Sequence, residues 1–539
     1  MNTLFLGRLV LPYRKILMTL AEKLTPVAHF PLESEIAKPL PEESPIYLPT
    51  PPSTQERYAY KNPSRWWAYW GLFAFSCIFA SGLWFLRETH FWGYAIYILL
   101  MTAWTLPHFL FILLGRNFDF QNHLEVVENF LALDQDALPS VDVFIPTCGE
   151  DLRIIDNTFF YASQLQYPRL QVYALDDQGN PEVERLARKH GLTYLSRPNR
   201  GEMKKAGNLL YAYDRSQGDF ILVLDADFAV SPLALQHLVP WMVADSKIGI
   251  LQTPQYFETD PRLSWSSRGS AYCQEVFYRA IQPSRDSLGR SAICVGTNAL
   301  YRRQALAEIG GFYQIDASED VHNGVALINN GWNVKYIPVL IARGLCPETA
   351  QALFRQHYRW CTGSLRLITS SFFWKNAMPA WQKLIYFCGA CYYPAAALAL
   401  PVSLIQLFYM VFYLNHDVRW YVAFLFLPKI LLIYLIMPLW NKANWGLHSI
   451  KSAITFSWSY LIAMWDFMTQ GSEGWIATGA KQKSTRYTWF RRLLIAYCFI
   501  HFLLLIPVMR YEVYNFIPLL AIHGFSIYLN LDLLIEEQP

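Results

Sequence analysis

The sequence predicts two architectures in one chain: an α/β domain on a parallel-rich sheet, and an α-helical transmembrane bundle of about six spans with added interfacial helices. Three observations carry this reading. Residues 220–227, FILVLDAD, form an unbroken apolar run, the pattern of a strand buried on both faces, that stops at two carboxylates. Strand-like and helix-like segments alternate from residue 141 onward, as parallel strands with right-handed crossovers require. Long apolar runs flank this block on both sides, in a chain of 539 residues that is 53% hydrophobic and 16% aromatic. A net charge of +3 gives no reason to expect nucleic acid as a partner. The nine cysteines are odd in number and scattered, so no disulfide framework is expected. Cys388 and Cys391 form a CxxC inside an apolar run, where packing is the simpler reading than zinc or redox chemistry. Arg8, Arg14 and Lys15 interrupt the first apolar stretch, which excludes a cleavable signal peptide.

In chain order, residues 1–63 form an N-terminal segment. Its first 24 residues read as a basic amphipathic helix on a membrane surface or as a disordered tail, and 25–63 as a Pro-rich extended linker. Within 64–116, the runs 66–86 and 91–114 are each long enough to span and are joined by RETH at 87–90. Trp66, Trp67 and Trp92 fall where an interfacial aromatic belt belongs. Residues 124–346 are the soluble α/β domain. Strands are expected at 141–146, 170–175, 193–195 and 220–224, and helices at 152–166, at 181–190 and from Lys204. Residues 347–382 read as aromatic-rich interfacial helices. Membrane helices occupy 383–440: the run 383–414 is too long for one upright span, so it is kinked at Pro394 and Pro401 or divided in two. Lys429 lies inside the next span, 421–440, and either faces a polar lumen or snorkels. Residues 441–492 mix an interfacial helix with a basic stretch, and 493–534 form a last hairpin. Lys481, Lys483, Arg486, Arg491 and Arg492 cluster before that hairpin; by the positive-inside rule they are cytoplasmic, and so is the soluble domain.

The chemistry starts at Asp225 and Asp227. Strand-end residues two apart point the same way, here toward the carboxyl edge of the sheet, where open α/β sheets bind ligands. Two anions so close suit a hard divalent cation, Mg2+ or Mn2+. A lone DxD is equally a surface turn with two solvated acids. Here, however, three successive strands end in acids, Glu150/Asp151, Asp176/Asp177 and Asp225/Asp227, which points to a nucleotide pocket. Lys205 opens a helix in KAGN, and a cation beside helix-opening amides favours phosphate. Ser318–Glu319–Asp320 alone would read as a helix N-cap. In the QHYRW segment, Gln356, Arg359 and Trp360 would alone read as an interfacial anchor.

Together and in this order, these five motifs make residues 60–535 resemble the processive family-2 glycosyltransferases of GT-A fold. The layout is nearest to bacterial cellulose synthase catalytic subunits. The resemblance implies that Asp176 and Asp177 hold the base and ribose of the donor, that Lys205 and Arg359 reach its diphosphate, that Gln356 also binds the nucleotide sugar, and that Asp225 and Asp227 bind the metal. Asp320 is then the general base, in a segment similar to the family's TED, and Trp360 is a platform for the acceptor sugar, with Glu319 beside it. Cys294, Gly296 and Thr297, in CVGT, resemble an acceptor-side FCGT segment. Thr478 and Lys481, just before the last hairpin, resemble a gating loop of the form FxVTxK, with Trp and Ala substituted and one extra residue. Phe228 and Gln255 stand where family members often carry histidine, which puts any role of those histidines in doubt. So few residues follow Leu533 that a C-terminal PilZ-type domain, and with it direct control by cyclic di-GMP, is not expected.

The implied activity is an inverting, processive transfer of glucose from UDP-glucose to a growing β-glucan, cellulose-like and β-1,4-linked. The polymer is passed through the helices of a bacterial inner-membrane protein. Mixed-linkage glucan, mannan, chitin-like or hyaluronan-like products, and a non-processive glycolipid transferase, stay open as alternatives. Homo-oligomerisation and a periplasmic partner are left open too.

Overall fold

The computed structural model describes residues 47–441, 446–471, 485–511 and 513–535. The α/β domain is built on a seven-stranded sheet and a small three-stranded one. In chain order the strands are β1 (Val141–Thr147), β2 (Leu170–Asp176), β3 (Thr193–Leu195), β4 (Phe220–Val223), β5 (Phe228–Val230), β6 (Ile248–Gln252), β7 (Tyr256–Phe257), β8 (Ala299–Arg302), β9 (Asn333–Tyr336) and β10 (Ala342–Gly344). The large sheet runs β3-β2-β1-β4-β8-β6-β9, and the small one β5-β10-β7. The β1–β2, β2–β3, β1–β4 and β6–β9 pairs are parallel; β8 is antiparallel to both of its neighbours.

Alternation along the central strands explains the burial on both faces. Val143, Ile145, Leu222 and Leu224 enter one core, and Phe144, Ile221 and Val223 the other. Each such fully buried side chain contributes about 2 kcal/mol of transfer free energy, which anchors the strand register. That register aligns the strand ends. Thr147 pairs with Asp176 and Phe144 with Val223, so the loops after β1, β2 and β4 open at one edge. The chain crosses from β4 to β5 through Asp225, Ala226 and Asp227.

Six helical segments among the described residues are long and apolar enough to cross a membrane: Trp66–Thr89, Gly93–Leu114, Ala380–Phe412, Ala423–Asn441, Thr485–Arg510 and Val513–Leu534. The protein is therefore an integral membrane protein. The first two pack as a hairpin closely enough that a Cβ on Gly71 would lie 2.2 Å from the Phe109 ring. The first helix continues through Arg87 and Glu88 to Thr89, so the expected four-residue RETH turn tightens to residues around His90. Trp66 and Trp92 are exposed as an aromatic belt requires, but Trp67 is buried against Phe109 and Trp440. One residue of helical rotation turns it from the lipid face to the bundle. The 380–412 segment is interrupted at Cys391, between Ala380–Ala390 and Tyr392–Phe412, rather than at either proline. Cys388 and Cys391 are both buried free thiols. Lys429 is exposed. Gly446–Thr469, expected to be interfacial, is a long, largely buried helix that falls short of span hydropathy. It crosses Trp265–Val276 at Gly269, where a Cβ would meet the His448 carbonyl at 2.3 Å.

Candidate active site

Lys205 links the strand-end acids to the neighbouring loop. Its ammonium donates to Asp225 Oδ1 at 2.5 Å and to the Gly296 carbonyl at 2.8 Å. Burial opposes that charge, but Asp225, Glu319 and Asp320 outweigh it and raise the pKa. Thr297 Oγ1 accepts from the Asp225 backbone N–H at 2.9 Å and so fixes the turn. Asp227 is pushed up to about 8, by burial first and then by Asp225 and Glu150. Burial, followed by acidic neighbours, also raises Glu150, whose Oε2 accepts from Cys148 N–H. Among the described residues no group of three His, Cys, Asp or Glu is arranged to hold a metal ion. What is present is a crowded set of carboxylates facing one edge. This fits a divalent cation held by Asp225 and Asp227 and completed by oxygens of water or a diphosphate, as Mg2+ commonly is.

Asp320 opens the Glu319–Asn329 helix, and its Oδ1 accepts from Val321 N–H at 2.8 Å. Burial, then the Glu319 carboxylate, drives Asp320 up to about 7; Glu319 is itself raised by burial against the opposing pull of Lys205 and Arg359. Gly296 is what permits this approach. Its φ is +79°, and a Cβ there would lie 2.9 Å from Asp320 Oδ2. Ser318 holds the N-cap position but at φ 56°, with no side-chain cap bond, so this segment is not the conventional cap it resembles locally. The Ser318 side chain instead packs on Gly363 of the Ala350–Thr369 helix, where a Cβ would be 1.9 Å from its Oγ.

That helix carries Gln356, Arg359 and Trp360 toward the same region. Arg359 is electrostatically coupled to Glu319 and Asp225, and burial lowers it to about 10. Gln356 Oε1 is buried with no hydrogen-bond partner among the described residues, an acceptor that a bound hydroxyl would satisfy. Trp360 is half-buried beside His357, ring centroids 4.6 Å apart. His357 stacks on Phe456 at 3.5 Å and shares a 2.7 Å hydrogen bond with the Tyr460 hydroxyl. Tyr460 then meets Tyr393 and Tyr392, and Tyr392 meets Trp104. A run of aromatic rings thus leads from Trp360 into the membrane helices.

Three of the expected site positions are occupied differently. Asp176 is consumed by its own turn: Gln178 N–H, Asn180 N–H and the Tyr194 hydroxyl all donate to it. Asp177 is clamped by Arg197, whose Nε and Nη2 donate to its two oxygens at 2.5 and 2.9 Å. Both carboxylates are thus engaged within the protein, and Asp176 is 1% and Asp177 8% exposed. Cys294 lies in the core, its thiol 3.0 Å from the Tyr301 hydroxyl, so its side chain does not reach an acceptor. Gly296 and Thr297 act on Asp320 and Asp225 rather than outward. Phe228 is core, against Phe257 and Gly344, and Gln255 donates to the Val295 carbonyl. Thr478 and Lys481 lie outside the described residues.

Sequence reasoning missed Arg197. It is 1% exposed and also donates to the Glu202 and Lys204 carbonyls, gathering the turn in which Met203 and Lys204 adopt positive φ. Gly207 of KAGN is required there, since a Cβ would meet Arg197 Nη1 at 2.3 Å. Glu150 was visible as a strand-end acid, but nothing in its own motif distinguished it from Asp151.

A mostly parallel sheet ending in acids, with a cationic lysine and a buried carboxylate at the opposite wall, defines a GT-A-like nucleotide-sugar domain on a membrane bundle. Residues 139–363, within the α/β domain, match the family described as "Glycosyltransferase like family 2". The chain is 36% identical over 242 residues to the UDP-forming cellulose synthase 1 catalytic subunit of Komagataeibacter xylinus, covering 44% of this chain and 32% of that protein. It is 33% identical over 243 residues to the UDP-forming cellulose synthase catalytic subunit of Pseudomonas fluorescens (strain SBW25), covering 44% and 33%. The matched stretch spans about a third of each relative. A mannosyltransferase from Pyrobaculum calidifontis, solved with GDP-Man and Mn2+, overlays loosely, with a TM-score of 0.48 at 20% identity over 69% of this chain and 99% of that one.

Proposed function

We propose that the protein is a membrane-embedded, inverting polysaccharide synthase that transfers glucose from UDP-glucose to a β-glucan and moves the polymer through its own helices. The observation that carries this reading is the placement of Asp320: its carboxylate lies against Gly296, is raised by burial and by Glu319, and feels the charges of Lys205 and Asp225. The acceptor hydroxyl would lose its proton to Asp320 as its oxygen bonds the anomeric carbon, and the bond from that carbon to the diphosphate oxygen would break with UDP leaving. Lys205 and Arg359 would balance the charge that gathers on the departing diphosphate. A divalent cation on Asp225 and Asp227 would add Lewis-acid stabilisation of the same oxygens. Trp360 would stack the acceptor sugar, and Gln356 Oε1 would accept from one of its hydroxyls or from the donor.

Two relatives named as UDP-forming cellulose synthases support the donor and the product. The aromatic run from Trp360 to Tyr392 and Tyr393 supports a processive enzyme over one that glycosylates a lipid. We place the α/β domain on the cytosolic side of a bacterial inner membrane, on the strength of the basic residues before the last hairpin. The test is the purified protein with Mg2+ or Mn2+ and a panel of labelled UDP-sugars, with Asp320→Asn as control. Insoluble product from UDP-glucose, digested by a β-1,4-glucanase and absent in the variant, is expected. Polymer from another UDP-sugar would keep the chemistry and change the product; label only in lipid extracts would overturn processivity.

A further inference from the structure

The helix that presents Asp320 starts from a turn that a residue with a side chain adopts at a cost. Ser318, two positions before Asp320, has φ 56°, and such a conformation persists where the surroundings over-determine it. One group that does so lies in the first turns of the same helix. The Ser318 carbonyl accepts from His322 Nδ1 at 2.8 Å as well as from the His322 backbone N–H at 3.3 Å. A carbonyl only accepts, so Nδ1 carries the proton. Burial, opposed by that bond and aided by Arg366, lowers the pKa of the ring, which therefore stands neutral near pH 7.

His322 lies two positions beyond Asp320, about 200° round the helix, so its side chain leaves on the far face. There it is 3% exposed and packs with Tyr313 and Phe372, ring centroids 5.5 and 6.2 Å away. Tyr313 begins the loop that ends at Ser318, and Phe372 follows the helix that carries Trp360. Asn323, the next residue, holds the other end of that loop: its Oδ1 accepts from the Tyr313 N–H at 2.7 Å. Between these points Gln314 Nε2 donates to the Ala206 carbonyl, beside Lys205, at 3.1 Å, and Asp316 accepts from Arg366 Nη1 at 2.7 Å. Residues 313–318 are thus pinned at both ends by successive side chains of the helix they introduce.

We propose that His322 is a positioning residue for Asp320: the bond from its Nδ1–H to the Ser318 carbonyl holds the turn that sets the carboxylate against Gly296. Its part in catalysis rests on the reading of Asp320 as the base. Two variants of the purified full chain separate the ring from the bond. His322→Phe keeps an aromatic ring beside Tyr313 and Phe372 and removes the donor. His322→Asn gives up the ring and keeps a donor, of the kind Asn330 uses toward the Ala326 carbonyl at 2.9 Å. His322→Phe is expected to lower kcat about tenfold with the KM for UDP-glucose within about twofold, and His322→Asn to recover most of that loss. Hydrogen exchange of amides 314–321 reads the turn without any sugar, and is expected to run about fivefold faster in His322→Phe and near wild type in His322→Asn. If His322→Phe does not fold, His322→Ala against His322→Asn carries the same comparison. Equal losses of kcat and Tm in both variants would make His322 a packing residue and overturn the proposal, as would unchanged exchange in His322→Phe. Faster exchange in that variant, with no sugar transfer even by wild type, would support the hold on the turn and sink the transferase reading.

Discussion

At the residue scale, the proposed function rests on how Asp320 is held. With its carboxyl raised to about 7 by burial and by Glu319, the base is protonated, and idle, below that pH. Transfer is therefore expected to fall as pH drops through about 7, in a profile of kcat/KM against pH, and Asp320→Asn should abolish that limb along with about 10³-fold of the rate while the donor still binds. Gly296 offers an independent check on the same contact. An alanine there takes up both the left-handed backbone and a 2.9 Å approach to Asp320. Gly296→Ala should cost about 1–2 kcal/mol from the backbone alone and depress kcat more than donor affinity. A variant with unchanged kcat would separate Gly296 from the base.

At the element scale, the loop after β2 is held by a buried ion pair with no counterpart in the motif-based reading. Removing one partner leaves the other charged and buried. Arg197→Met is expected to destabilise by about 3–5 kcal/mol, read as a lowered Tm, and to raise the donor KM by loosening the turn that presents Lys205. A variant changing Tm alone would make Arg197 a purely structural residue. The difference between Asp225 and Asp177 shows what could be read in advance. Two acids on one strand end declare their common direction by spacing alone, and the long apolar run before them declares the strand. Asp177 and Arg197 are twenty positions apart and meet only when β2 and the turn before KAGN are folded, so no local pattern marks that carboxylate as already occupied. The burial of Cys294 against Tyr301 is hidden for a related reason: the two meet only when the CVGT turn and β8 are folded.

At the scale of the whole molecule, the membrane helices were legible because eighteen or more apolar residues in a row have few alternatives. Their mutual rotation was not, which is why Trp67 was expected at the lipid face and lies in the bundle. Topology makes one prediction here. Arg185 and Arg188 have side chains 73% and 76% exposed, so trypsin should cut the α/β domain in inverted inner-membrane vesicles and spare it in right-side-out ones. The reverse pattern would put the domain outside. Chelation of divalent cations should stop transfer in the vesicles where UDP-glucose reaches the site, and Mg2+ or Mn2+ should restore it.

The packing of Ser318 on Gly363 has a mechanical consequence. With no side chain at 363 to act as a spacer, the helix that carries Trp360 is seated directly on the turn that carries Asp320. Contact this close ties the position of the one to that of the other. In the processive cycle proposed above, a growing chain would slip forward by one sugar past the platform while the base kept its station, so the moving part of that cycle would belong to the polymer and not to this joint. Substitutions meant to change stride or product length therefore belong further along, at Tyr392 and Tyr393; at position 363 they would only unseat the anvil.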